Sequence, residues 1–289
     1  MQYVLHLLIV AGVYAVLAMS LSLLASRAGF LSVAHAAMFG LGAYVYALLG
    51  VKTGAPFLVA VAAAGLTAAL AGLLFAVPSL RIRDDYFVIA SLGFQVVVHD
   101  ILNNWVDVTG GPLGLGGIPQ PRLAGMVIES RWAMLAAVAL LVAASVALLT
   151  AITSGAFGRG LAAIREDEVL AQAFGIDTLR AKLWIFAVST SIAAVAGAVF
   201  ASYMTFIDPS SFSVSDSILI LAMVILGGRS GFLGPALWAV VLVFLPEALR
   251  FLGLPSEVAA NLRQMLFGAL MVALLVVRGS LGPEQVERG

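Results

Sequence analysis

The sequence has no cysteine, which excludes disulfides, thiol nucleophiles and thiolate metal sites. Charge is scarce: Asp, Glu, Lys and Arg make up 10% of the 289 residues, against about 25% in a typical soluble domain. The only lysines are Lys52 and Lys182, and they follow Val51 and Ala181. The Gly-Lys-Ser/Thr core of a P-loop is therefore missing, and the chain cannot hold ATP by that route. Gly-x-Gly-x-x-Gly, H-E-x-x-H and Gly-x-Ser-x-Gly are missing too, so no enzymatic role is expected. Three histidines without cysteine make a poor metal set. The 15 basic residues match 15 acidic ones, which leaves no basic footprint for nucleic acid.

Apolar residues fill the space: 62% of the chain is hydrophobic, and the mean hydropathy is +1.10. One soluble core cannot bury that much apolar surface, and a disordered chain would be polar. The composition is that of an all-α, polytopic transmembrane helix bundle. Runs near the ~20 residues that cross a bilayer are Val4–Ala25, Val33–Leu49, Ala55–Val77, Tyr86–Trp105, Trp132–Ala151, Leu183–Phe206, Ser217–Leu226, Phe232–Leu249 and Leu262–Val277. About 8–10 helical segments are expected in one membrane domain over residues 1–289. Val33–Leu49 and Ser217–Leu226 are short and flanked by Gly and Ser, so they are expected to be broken or re-entrant, with protein shielding their irregular backbone. The first run is long and residues 1–3 carry no Lys or Arg, unlike a cleaved signal peptide.

Positive charge orients such bundles. With residues 154–182 in the cytoplasm, Arg27, Arg81, Arg83, Arg159, Arg165, Arg180, Lys182, Arg229, Arg278 and Arg288 fall inside. Lys52, Arg122, Arg131, Arg250 and Arg263 fall outside. The N-terminus is then external and the C-terminus cytoplasmic.

Arg165-Glu166-Asp167-Glu168 is a run of four charges, spread around one turn if helical. At mid-bilayer each would cost roughly 2.5–3.5 kcal/mol, so the run lies in water or against another protein. Leu161, Ala163 and Ile164 precede it; Val169, Leu170, Ala173 and Phe174 follow. Apolar flanks suit a short surface helix seated in a partner's groove, with Gly175 as its stop. A solvated loop on the membrane surface is the alternative.

The run Gly158-Arg159-x-Leu161-x-Ala163-Ile164-Arg165-Glu166-x-Glu168-x-x-Ala171-x-x-x-Gly175-Ile176 closely resembles the cytoplasmic loop of the branched-chain amino-acid ABC transporter permeases of the LivM type. Phe30-Leu31-Ser32-x-x-His35-Ala36-Ala37-x-Phe39-Gly40-x-Gly42-Ala43-Tyr44, Asp85-Tyr86, Leu92-Gly93-Phe94, Asn103-Asn104-Trp105-x-x-x-Thr109-Gly110-Gly111-Pro112-x-Gly114, Pro209-x-x-Phe212, Ser217, Gly227-Gly228 and Gly234-Pro235 follow the family order. The resemblance covers roughly residues 4–282. It implies a permease subunit of the bacterial inner membrane, moving branched-chain or other small amino acids by alternating access. Its implied partners are two cytoplasmic ATPase subunits carrying ATP and Mg, a second similar permease and a periplasmic substrate-binding protein; the chain itself carries no cofactor. The ATPases would dock on residues 154–182, at Gly158, Arg159, Leu161, Ile164, Arg165, Glu166, Asp167, Glu168, Leu170, Ala171, Phe174 and Gly175.

The chain departs from the family at Gln95-Val96, commonly Gly-Glu, and at His99-Asp100, commonly Arg-Leu. Ala34, Leu113 and the surroundings of Arg278 depart too. These changes leave open a permease for urea or short amides, which shares the rest.

Gln95, His99, Asp100, Asn103, Asn104 and Thr109 are the candidates for a substrate path or gate, because polar side chains in a span face the bundle interior or a watery cavity. A helix end at the interface is the other reading, and a proton relay a third. A secondary transporter coupled to an ion gradient would draw on Asp100, Asp216 or Glu247. His6 and His35, isolated in spans, are expected to hydrogen-bond a neighbouring helix. Thr109–Pro121, rich in Gly and Pro, reads as a gate, a docking surface or a flexible connection. Gly29-Phe30-Leu31 and Gly231-Phe232-Leu233, each with an arginine two residues before the glycine, hint at duplicated halves.

Overall fold

A computed structural model describes residues 1–250 apart from 81–83, 124–125, 129 and 229–230, together with Gly268. The run Leu262–Val277 and Arg81, Arg83, Arg229, Arg263, Arg278 and Arg288 lie outside the described residues. Among the described residues there are eleven α-helices and a few two-residue strands. Seven helical segments are long and apolar enough to cross a membrane, and Leu233–Glu247 is a shorter apolar helix.

α1 (Gln2–Leu23) continues as a π-helical turn over Leu24–Ala28. It is apolar on every side and sits at the centre: Ile9, Val16, Leu17, Met19 and Leu21 are fully buried, as an all-round apolar helix must be. It packs on α6 (Arg131–Ser154), α9 (Thr178–Met204), α10 (Val214–Gly227) and α11 (Leu233–Arg250). α2 (His35–Thr53) and α9 form the closest pair. A Cβ on Gly42 would run into the Ala194 backbone, and one on Gly197 into the Phe39 carbonyl. Without a hydrophobic force between helices in lipid, such small-residue contacts hold them together.

Helix directions follow from the contacts. α1 opposes α9, because His6 meets Tyr203 and Ser20 meets Ser189. α2 runs with α9, because His35 lies level with Ser189 and residue 119, beside Gly50, belongs to the loop that bonds Thr205. α3 (Phe57–Ser79) opposes α9 through Gly72–Thr190 and Phe75–Phe186. One end of the bundle therefore gathers Gln2, Lys52, Arg122 and Arg131, and the other Arg27 and residues 154–182. Arg131 Nη1 donates to Gln2 O at 3.0 Å. Leu58, Leu66, Leu70 and Leu74 on α3 and Leu140 on α6 are exposed, an apolar surface suited to lipid.

The two runs expected to be broken form unbroken helices, α2 and α10, and the irregular backbone lies just before each of them. The chain leaves α1 at Gly29 and passes through non-helical residues 29–34 before α2 begins at His35. Ser189, level with His35, lies roughly 16 Å along α9, so α2 starts well inside the bundle. From the opposite end, Phe206–Ile207 leads through a 3₁₀ turn, Pro209–Phe212, into α10 at Val214. Buried Phe212 meets Phe39 and Phe200 at ring distances of 5.2 and 6.3 Å.

Candidate functional site

Two inward breaks meet around Gln95, on α4 (Asp84–Asn104). The first N–H groups of α2 have no intrahelical partner, and neighbouring elements supply acceptors. Ala36 N donates to Ser217 Oγ at 3.0 Å and Ala37 N to Gln95 Oε1 at 2.6 Å. Ser217 Oγ also donates to Gln95 Oε1 at 3.0 Å, and Gln95 Nε2 donates to Phe212 O at 2.9 Å. Just before α2, Val33 N donates to Ser91 Oγ at 2.9 Å. Gln95 is fully buried. It joins α4, the start of α2, α10 and the turn before α10, with its amide engaged at both atoms.

Beside this node, His35 Nε2 lies 3.2 Å from Ser20 Oγ and 3.3 Å from Ser189 Oγ. Both serines donate to carbonyls, Ser20 to Leu17 O and Ser189 to Ser20 O. Nε2 is therefore the donor, and His35 cross-links three helices. His6 Nδ1 lies 2.9 Å from the Tyr203 hydroxyl.

The other path candidates separate from Gln95. His99 and Asn103 are half-buried, while Asp100 and Asn104 lie on the exposed side of α4 with Leu92, Val96, Val97 and Ile101. His99 Nδ1 is 3.8 Å from Asp100 Oδ1, and Asn104 Nδ2 donates to Asp100 O at 2.8 Å. Thr109 is buried at the end of α5 (Val106–Thr109), its hydroxyl donating to Leu102 O and Trp105 O.

The described residues of the connection 105–130 are held by strand pairing and hydrogen bonds. Leu115–Gly116 pairs antiparallel with Phe206–Ile207, and Arg122–Leu123 pairs with Met126–Val127. Ile118 N donates to Thr205 O at 3.2 Å, and Tyr46 Oη to Pro119 O at 3.0 Å. Asp208 caps the 3₁₀ turn by accepting from Ser211 N at 2.9 Å and Ser210 Oγ at 2.6 Å. Burial pushes its carboxyl up, but the bonds from Ser210 and Ser211 outweigh it and hold the pKa below its ordinary value. Asp216 closes a capping box with Ser213 and accepts from Tyr14 Oη at 3.5 Å.

At the opposite end the charged run does not form one helical turn. α7 (Ala156–Glu166) stops at Asp167, which is extended (φ −153°, ψ 106°), and α8 (Glu168–Ala173) starts afresh. Asp167 accepts from Leu170 N at 2.9 Å, a side-chain N-cap. Two short helices thus replace the single surface helix expected, because an aspartate before Glu-Val-Leu caps a new helix better than it continues the old one. The stop at Gly175 is observed: φ is +84°, Gly175 N donates to Gln172 O and Ile176 N to Ala171 O. Those two bonds are the Schellman closure that favours glycine.

Gly158, Leu161, Ile164 and Ala171 are buried and hold the helix pair to the bundle. Arg159, Arg165, Glu166, Asp167, Leu170, Phe174 and Gly175 are exposed, and Glu168 is half-buried. Leu170 and Phe174, one turn apart, together with Val169 form an apolar ridge; Val169 is 76% and Phe174 79% exposed. A cleft of ≈ 400 Å³ beside α7 is lined by Phe157, Leu161, Ile176 and Ala181. An exposed apolar ridge rimmed by charge marks an interaction surface. The sequence reading missed two links beneath it: Arg165 Nη1 to Ser26 O at 2.8 Å, and Lys182 Nζ to Glu168 Oε2 at 2.6 Å. The available signal for the second was a rare lysine at the head of a span.

The sequence matches the family described as "Branched-chain amino acid transport system / permease component" over residues 3–275. It is 32% identical to the high-affinity branched-chain amino acid transport system permease protein LivM of Escherichia coli K12, and equally to that of Salmonella typhimurium LT2. Each alignment covers 92% of this chain and 66% of the relative, so the chain spans just under two thirds of those proteins. It is 30% identical to a probable branched-chain amino acid transport permease protein LivM of Methanocaldococcus jannaschii, over 79% of this chain and 68% of that one. No solved structure matches it significantly. With its apolar spans, its paired inward breaks and a match running nearly end to end, the chain belongs to the family of branched-chain amino acid transport permease components, as a multi-pass membrane protein.

Proposed function

We propose that this chain is the permease subunit of an ATP-driven ABC importer for branched-chain amino acids. It forms half of a path through the bacterial inner membrane beside a second, similar permease. Two cytoplasmic ATPases dock on α7 and α8, and a periplasmic binding protein delivers substrate to the opposite end. The observation that carries the reading is the ridge of Val169, Leu170 and Phe174. It projects from a helix pair whose inner side is buried, so it offers a partner an anchored apolar handle ringed by Arg165, Glu166 and Asp167. The ATP chemistry resides in the partners. This chain's part is to alternate between two states of the bundle, and the ATPases drive it only through unequal affinity for those states. The starts of α2 and α10 inside the bundle support such movement, since broken helices line the sites of many transporters.

The test is purification of the chain with its ATPases and binding protein, followed by ATP hydrolysis with leucine, isoleucine, valine, urea and short amides. Co-purified ATPases stimulated by the branched-chain amino acids are expected. A purified chain that moves solute alone would overturn the reading. Stimulation by urea or amides only would overturn the substrate assignment.

A further inference from the structure

The docking helices are tied to the break between α1 and α2 by two polar links. α7 packs on the π-helical turn Leu24–Ala28, and Arg165 reaches across it to Ser26 O at 2.8 Å. A π turn is a rare, over-wide insertion in a helix that frequently marks a functional site. In the same turn Arg27 Nε is buried without a hydrogen-bond partner among the described residues. The second link starts at Glu168, the first residue of α8. Its carboxylate holds Lys182 Nζ at 2.6 Å, and that ammonium lies 5.2 Å from the ring centroid of Phe30. Lys182 is 8% and Phe30 3% exposed. Phe30 belongs to the non-helical segment 29–34, which ends where Ser217 and Gln95 cap the first turn of α2. Contacts therefore run without a gap from the exposed helices to the node inside the bundle.

We propose that Arg165 and Lys182 are positioning residues that carry movement of α7 and α8 into the α1–α2 break, and so into the start of α2. The proposal rests on the docking reading above and names the joint through which that docking acts. Apolar helix surfaces slip past one another, whereas charge-assisted hydrogen bonds fix a register. Opening the Lys182–Glu168 pair would leave a buried charge uncompensated. The pair therefore stays closed while the helices shift, and the segment holding Phe30 follows.

The experiment uses the whole transporter in proteoliposomes, with Lys182→Met, Arg165→Gln and Lys182→Arg. Its readouts are ATPase retained on the chain, ATP hydrolysed, and substrate moved per ATP. Lys182→Met is expected to keep its ATPases and hydrolyse ATP within about twofold of the parent; in Lys182→Met, and in Arg165→Gln compared at whatever ATPase it retains, substrate per ATP is expected to fall about fivefold or more, the size of a modest coupling free energy. Lys182→Arg, which keeps the charge, is expected to restore most of that ratio. A purely structural role would lower the yield of complex and leave substrate per ATP unchanged. An unchanged ratio in the loaded Met and Gln variants overturns this proposal alone. Loss of ATPases from both variants also overturns it, because the two residues would then hold the docking surface rather than transmit. If Lys182→Met does not assemble, Arg165→Gln decides by the same ratio. A parent chain that retains no ATPase at all removes the docking reading, and this proposal with it.

Discussion

Gln95 and Ser217 supply the acceptors that stand in for the missing turn of a helix beginning inside the bundle, and removal of Gln95 would be felt in stability before function. In Gln95→Leu, Ala37 N loses its acceptor and Phe212 O its donor, both in buried surroundings. An ordinary interhelical hydrogen bond in a membrane protein averages about 0.6 kcal/mol. Here the lost partners belong to backbone groups at a helix end, and each buried group left unmet costs about 1–3 kcal/mol. The larger figure governs, so thermal melting of the purified variant in detergent should drop clearly. An unchanged melting temperature would show that the node is dispensable. The sequence announces a polar residue in a span, and on that ground Gln95 reads as part of a path. Its partners lie 58 and 117 residues away, so nothing local says that its amide meets two helix ends. Thr109 poses the same problem in smaller form, since its bonds to Leu102 O and Trp105 O make it a turn closure.

At the scale of elements, the break at Asp167 decides the shape of the docking surface. Were α7 and α8 one helix, Arg165, Glu166, Asp167 and Glu168 would point in four directions around one turn. The break lets Glu168 turn back toward Lys182 while Leu170 and Phe174 face outward. Losing an N-cap side chain costs about 0.5–2 kcal/mol, a large share for a helix as short as α8. In Asp167→Ala, α8 should fray and ATPase retention should weaken, with the spans intact by circular dichroism. Full retention of the ATPases would mean that the ridge does not depend on the cap. This surface was partly legible: Gly175 as a stop and the apolar flank Val169, Leu170 and Phe174 stand in the sequence, whereas Leu161, Ile164 and Ala171, expected among the docking residues, turn inward and are buried. The break was not, because four charges in a row carry no periodicity of their own. The long helices were the easiest reading, since length and hydropathy alone place a span to within a few residues. α10 was harder: fourteen helical residues are too few to cross alone, and the 3₁₀ turn before it is held by Asp208 and Phe212 rather than by any local propensity.

For the molecule as a whole, alternation of positive charge predicts which cations share an end, and among the described residues the contacts place Arg131 beside Gln2 and Arg165 beside Ser26, as expected of the two ends. What charge counting does not reveal is how the carboxylates of the spans are used, and this bears on the energy source. A carrier driven by an ion gradient needs a carboxylate that binds and releases the ion inside the membrane. Asp216 is committed to capping α10 through Ser213 N and Oγ, and truncating it would damage the helix start whatever the mechanism. Asp100 is the informative position. It stands near the end of α4 on the exposed side, its carboxylate 63% exposed and 3.8 Å from His99, where an isosteric change leaves packing untouched. In proteoliposomes containing the whole complex, Asp100→Asn should keep ATP-dependent uptake within about twofold, since α4 loses only an exposed 3.8 Å contact with His99. Dissipating the ion gradient should leave both parent and variant uptake unchanged as long as ATP is supplied. Uptake that persists without ATP, collapses with the gradient and disappears in Asp100→Asn would identify an ion-coupled carrier, and would transfer the driving force from the helices at 156–173 to the outer end of α4.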